Sequence, residues 1–204
     1  MQASLSTTPA SDAYVSLLAD AQGCTLCADE LKDGVRPVFQ AHPDARILIA
    51  GQAPGSKVHA TGVPFDDPSG DRLRAWMAID RDVFYDARKL AILPMGFCYP
   101  GKGKSGDLPP QARCAPAWRA KMLAGMPNIQ LTLVIGQYAQ AWHLDAPPQN
   151  LTETVRAWAS FGESMLPLPH PSPRNNIWLK KNLWFEAEVL VHLRARVAQA
   201  LAGK

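Results

Sequence analysis

Arg46-Ile-Leu-Ile-Ala50 runs straight into Gly51-Gln-Ala-Pro-Gly55, a short apolar run followed by chain breakers, which reads as a buried strand ending in a tight loop. Three further runs have the same form. Lys89-Leu-Ala-Ile-Leu93 stops at Pro94, Leu131-Thr-Leu-Val-Ile135 stops at Gly136, and Ser164-Met-Leu-Pro-Leu168 stops at Pro169. Runs that are apolar throughout, rather than alternating, suit strands covered on both faces, the habit of parallel sheets. Helical stretches are expected between them at about 69–79, 110–124, 138–144 and 152–160. A last helix, about 181–201, carries Leu183, Ala187, Leu190, Val191, Arg194, Val197 and Leu201 at helical spacing, as an amphipathic lid on the sheet would. The alternation predicts an α/β fold: a three-layer α/β/α sandwich around a central, mainly parallel four-stranded sheet, with one domain over residues 1–204.

Composition narrows the function classes. With 204 residues, 47% hydrophobic and 19% charged, the chain has material for a core and is not a disordered tail. No apolar run reaches the ~18 residues that a membrane span needs. Eighteen prolines and fourteen glycines favour shaped loops over a helical bundle or a solenoid. The net charge of +3 permits a polyanionic partner without requiring one. The first twenty residues lack the pattern of an export signal, so a cytoplasmic monomer is expected. In a reducing compartment four cysteines are asked about metal before disulfides.

In open parallel sheets ligands sit outside the carboxyl ends of the strands, and the informative residues fall there. Gly51, Gln52, Ala53, Pro54 and Gly55 follow the first strand, Pro94 the second, and His170-Pro-Ser-Pro-Arg-Asn175 the fourth. These loops are expected to meet on one rim. The glycine loop lacks the spacing of a P-loop or a dinucleotide fingerprint, which disfavours ATP and NAD. Prolines on both sides of His170 stiffen its loop, so its imidazole is suited either to donating a hydrogen bond to a developing anion or to capping a packed turn. Phe65, in a loop dense with turn formers, is a core plug or a stacking platform for a flat ligand. Cys24 and Cys27 form a C-x2-C pair, Cys98 and Cys114 a C-x15-C pair. With no histidine nearby, such a set suits a tetrathiolate zinc or an iron-sulfur cluster, and spacing does not choose between them; ordinary buried thiols are the alternative.

Taken in order, C-x2-C, strand with G-x-A-P-G, G-x-P-F, C-x15-C and H-P-S resemble the uracil-DNA glycosylase superfamily, and most nearly its iron-sulfur family-four branch. The resemblance runs from Cys24 to Asn175. It implies a [4Fe-4S] cluster on the four cysteines, with Zn2+ as the fallback, and DNA carrying a uracil or other deaminated base as the partner, cut at its N-glycosidic bond in base-excision repair. It implies that the base is flipped out, that His170 stabilises the departing anion, that Phe65 stacks on the base, and that Gln52 and Ala53 help line the pocket. Pro171, Ser172, Pro173 and Arg174 would press into the minor groove, with Asn175 closing the motif. Lys57, Lys102, Lys104 and Arg113 would meet phosphates.

Two departures stand out. The family's acidic residues after the glycine loop are missing; no carboxylate follows until Asp66, and His59 falls where one would be, a possible general base or a surface histidine without a role. Pro94 occupies the place of the asparagine that reads the uracil edge. Two other readings therefore accompany the glycosylase: a DNA-binding member without activity, and an α/β hydrolase acting on a small nucleoside. The loop from Cys98 to Cys114, with Gly101, Gly103 and Gly106, is expected to stay mobile until DNA arrives.

Overall fold

The computed structural model describes residues 9–104, 106–148 and 150–203; the first eight residues, part of the stretch read for an export signal, lie outside it. In chain order the elements are α1 (Pro9–Gln22), β1 (Ile47–Ala50), α2 (Ser56–Thr61), α3 (Pro68–Met77), α4 (Arg81–Tyr85), β2 (Leu90–Ile92), α5 (Cys114–Ala124), β3 (Leu131–Ile135), α6 (Gln137–His143), α7 (Leu151–Arg156), β4 (Met165–Leu168), α8 (Asn176–Lys181) and α9 (Leu190–Ala202). The sheet has the order β2-β1-β3-β4, and every pairing is parallel. All four expected strands are present. No described helix is long and apolar enough to cross a membrane.

Alternate residues of each central strand enter different cores, which is what makes the fold a sandwich. Ile47 and Ile49 of β1 pack with Leu73, Trp76 and Met77 of α3 and with Leu193 and Val197 of α9. Leu48, between them, packs on the other face with Tyr14 of α1 and Met122 of α5. The last strand position, Ala50, joins Val134 and Ala139 of α6.

The C-terminal lid differs from its expected form. The chain breaks after α8, makes a π-helical turn over Phe185–Val189, and only then continues as α9. That wider turn resets the helical phase. Phe185, Val189, Leu190, Leu193, Val197 and Ala200 become the buried stripe, while Leu183 and Val191, assigned to it from spacing, are exposed. α5 begins at Cys114 rather than near residue 110, after Pro109-Pro110. α7 ends at Arg156, and the rest of its expected length is a 3-10 turn, Trp158–Phe161.

α3 fixes the loop ahead of it. Asp67 caps its N-terminus by accepting from the Gly70 N–H at 2.9 Å, and Pro68 supplies the preset first-turn φ. A β-carbon on Gly70 would stand 1.7 Å from the Phe65 carbonyl oxygen, so only glycine lets this loop lie against the helix. Gly70→Ala is expected to cost about 2 kcal/mol or more and to lower the thermal midpoint by roughly 4–8 °C in a calorimetric scan; an unchanged midpoint would contradict this close approach.

Candidate active site

The loops after β1, β2 and β4 converge, as the parallel sheet requires. They line a cavity of about 330 Å³ with walls from Gly51, Gln52, Ala53, Pro54, Gly55, Phe65, Pro94, His170, Ser172 and Arg174, together with Lys57, Asp67 and Asp107. Such a volume lies within the range of small-ligand clefts. Of the residues expected at the site, His59, Pro171 and Asn175 do not line it, and Pro171 is buried rather than presented to a groove.

His170 is held by its own loop. The Ser172 N–H donates to His170 Nδ1 at 3.2 Å, and Asn175 Nδ2 donates to the His170 carbonyl at 2.7 Å. Asn175 thus positions the histidine. With Nδ1 accepting, the neutral ring carries its proton on Nε2, a tautomer assigned from this bonding pattern. Burial pulls the His170 pKa below its ordinary value, partly opposed by the charges of Asp67 and Asp107. At neutral pH the ring is an uncharged donor. Arg72 braces the loop from α3, donating to the Ser172 carbonyl at 3.0 Å and to Asn176 Oδ1 at 2.7 Å; nothing in its sequence context marks it for this.

Phe65 sits in the left-handed region at φ 55°, a conformation that costs a non-glycine residue about 1 kcal/mol or more. Its half-buried ring meets Phe84 edge-on, with centroids 6.2 Å apart, and its other neighbours include the cavity. It serves as both a packed and a lining residue. Gln52 Nε2 donates to the Leu108 carbonyl at 3.1 Å, tying the glycine loop to the segment from Gly101 to Leu108. That segment is not an open loop. Lys102 and Asp107 form an antiparallel bridge, Leu108 N–H donates to Gly101 O at 2.9 Å and Gly103 N–H to Gly106 O at 2.6 Å. The hairpin brings Asp107 into the cavity wall, a residue that sequence spacing gave no reason to choose.

Other assignments change. His59 lies outside the lining, its Nε2 3.1 Å from the Asp33 carbonyl and its ring 5.8 Å from Tyr99. Its Nδ1 is buried and unpartnered among the described residues, so the geometry does not bring it to a water in the cavity. Arg113 pairs with Asp29 and Glu30 at the surface. Lys57 and Arg174 are at the cavity, and Lys102 and Lys104 are exposed on the hairpin.

Cys24, Cys27, Cys98 and Cys114 come together around a second, smaller pocket with Leu26, Leu31, Val35 and Phe97, and all four are free thiols. Donors point at two of the sulfurs: Trp118 Nε1 donates to Cys24 Sγ at 3.3 Å and the Phe97 N–H to Cys114 Sγ at 3.4 Å. Burial raises the thiol pKa values of Cys27 and Cys98 and pushes Cys114 up to about 12. Among the described residues, no three His, Cys, Asp or Glu side chains are grouped so as to hold a metal ion.

The family model for the Uracil DNA glycosylase superfamily matches residues 38–194. The chain belongs to this superfamily. The match spans β1 to α9 and takes in both the glycine loop and the His170 loop, so a glycosylase type of activity on DNA follows at the level of the superfamily.

Under Pro94 lies a buried cation. Arg119, 1% exposed, donates from Nη1 to the Leu93 carbonyl at 2.8 Å and from Nε to His143 Nε2 at 2.9 Å, and among the described residues it pairs with no carboxylate. Burial, then the Arg119 charge, lowers His143 from 6.5 to about 3. The unfolded chain therefore binds a proton at His143 that the folded chain refuses. This contribution is fully present above pH 6.5 and is lost as pH falls toward about 3. Stability measured by urea unfolding is expected to decline through that window, and His143→Gln, which keeps an acceptor but cannot titrate, is expected to flatten the decline; an equally steep decline in the variant would contradict the assignment.

Proposed function

We propose that the protein is a monofunctional DNA glycosylase that hydrolyses the N-glycosidic bond of a flipped-out base, with uracil as the first substrate. The observation that carries this reading is the neutral His170, its Nδ1 occupied by Ser172 N–H, on the wall of a cavity shared with Phe65 and the glycine loop. When the C1′–N1 bond breaks, negative charge develops on the base and spreads to its O2. A fixed donor stabilises that charge without reorganisation, and a neutral imidazole does so without first having to be charged. Phe65 supplies the face on which the base stacks, and the Gly51–Gly55 backbone lines its approach. The Ser172-Pro-Arg174 turn, braced by Arg72, stands at the mouth as the element that meets the strand. With Pro94 where the family has its asparagine, the edge of the base is met by backbone, which leaves room for other deaminated bases.

We further read the four cysteines as the holders of a [4Fe-4S] cluster. Four thiols gathered at one pocket, two of them with N–H donors at their sulfurs, suit it. A tetrathiolate zinc is the fallback on the same four residues. Bound there, the cluster would cross-link the Cys24–Cys27 segment to the start of α5. Anaerobically purified protein is expected to contain iron and acid-labile sulfide in equal amounts; stoichiometric zinc without sulfide would overturn the cluster.

The activity is tested on a labelled oligonucleotide with one uracil opposite guanine, scored for alkali-labile sites. Wild type is expected to produce them and His170→Ala to lose roughly 10²–10³-fold in single-turnover rate. Absence of product from folded, metal-loaded wild type on uracil and on hypoxanthine or xanthine would overturn the reading in favour of DNA binding without catalysis.

A further inference from the structure

We propose that Asp107 is the carboxylate that activates the attacking water, an inference that rests on the glycosylase reading above. The glycine loop offers no acid, and His59 does not reach the cavity. The hairpin supplies one from elsewhere in the chain. Asp107 lines the same cavity as His170 and the glycine loop. Its Oδ2 lies 3.6 Å from the point where a β-carbon on Gly55 would stand, so the carboxylate hangs directly over the loop that floors the site.

Two carboxylates share the wall, and their bonding separates them. Asp67 is committed to its helix, accepting the Gly70 N–H through Oδ1. Asp107 makes no side-chain hydrogen bond or ion pair among the described residues, and its acceptors are left for water. Its backbone, by contrast, is fixed: the bridge to Lys102 and the Gln52 bond to Leu108 hold the hairpin against the glycine loop. A base of this kind needs a rigid mount and an unoccupied carboxylate, and Asp107 has both. The charged and titratable groups sharing its cavity are Lys57, Asp67, His170 and Arg174, with Tyr99 also within reach of its charge.

In the step itself the water oxygen bonds to C1′ while Asp107 takes one of the water's protons. The C1′–N1 bond breaks and its electron pair leaves on the base, whose O2 accepts from His170 Nε2. The base anion then takes a proton from solvent and Asp107 returns its own, so the products are a free base and an abasic sugar bearing the new hydroxyl. Asp107 acts on the nucleophile and His170 on the leaving group.

The test is single-turnover excision by wild type, Asp107→Asn, Asp107→Glu and Asp67→Asn across pH, with duplex affinity measured in parallel. Asp107→Asn is expected to lose at least about 100-fold in rate, to bind DNA within threefold of wild type, and to lose the acidic limb of the pH profile that Asp107→Glu retains. Asp67→Asn keeps a capping side chain and is expected to keep the limb. An active wild type with Asp107→Asn within threefold of it, or with the limb removed by Asp67→Asn instead, overturns the assignment of Asp107 alone. An inactive wild type overturns the glycosylase reading and this inference with it.

Discussion

The parallel pairing of Ile47–Ala50 with a strand on each side is the constraint from which the rest of the site follows. Because β2, β1 and β3 run the same way, their carboxyl ends open on one edge, and β4 adds the His170 loop to that edge. Each of these strands is too short to tolerate a register change. A slip of one residue in β1 would exchange Ile47 and Ile49 for Leu48 on the α3 and α9 side, and would carry the glycine loop away from Pro94 and His170. Sheet register and site geometry are one decision.

Around that edge the chain spends its rigidity on orientation. Phe65 takes a strained φ, held there because Gly70 admits its carbonyl. His170 has its tautomer chosen by Ser172 and its carbonyl fixed by Asn175, with Arg72 reaching across from α3. Arg119 places a buried cation against the carbonyls of Leu93 and Pro94 at the end of β2. Satisfied polar groups around a small cavity are how a protein holds donors still while charge develops nearby. The hairpin between Cys98 and Cys114 adds a second link. The segment that carries Asp107 is anchored at both ends by cysteines of the smaller pocket, so whatever orders those cysteines also orders the roof of the cavity.

Much of this was legible from residues alone, for a physical reason. Fully buried strands in a parallel sheet must be apolar throughout and must end in breakers, so all four could be marked, and with them the rim. Short polar helices carry no such signature: α2 and α4 span a single turn or little more and bury few side chains. The π-helical turn before α9 breaks any single period across the C-terminal segment, and within α9 the buried stripe of Leu190, Leu193, Val197 and Ala200 leaves the neighbouring Val191 on the exposed face. His59 was drawn toward the site by its distance from the glycine loop, whereas its ring turns toward Tyr99. Asp107 was invisible for the opposite reason. It lies 52 residues beyond Gly55 in the numbering and reaches it only because a hairpin folds back, and pairing of that kind leaves no periodic trace.

The central claim is that the cavity between Phe65, His170 and the glycine loop takes a base out of a DNA strand. The most direct measurement is a crystal structure of the protein on a duplex whose single uridine carries an uncleavable glycosidic bond. The account predicts the uracil ring inside the cavity, stacked on Phe65, with its O2 about 3 Å from His170 Nε2. A uracil left in the helix, or bound with His170 facing away from it, would contradict the account.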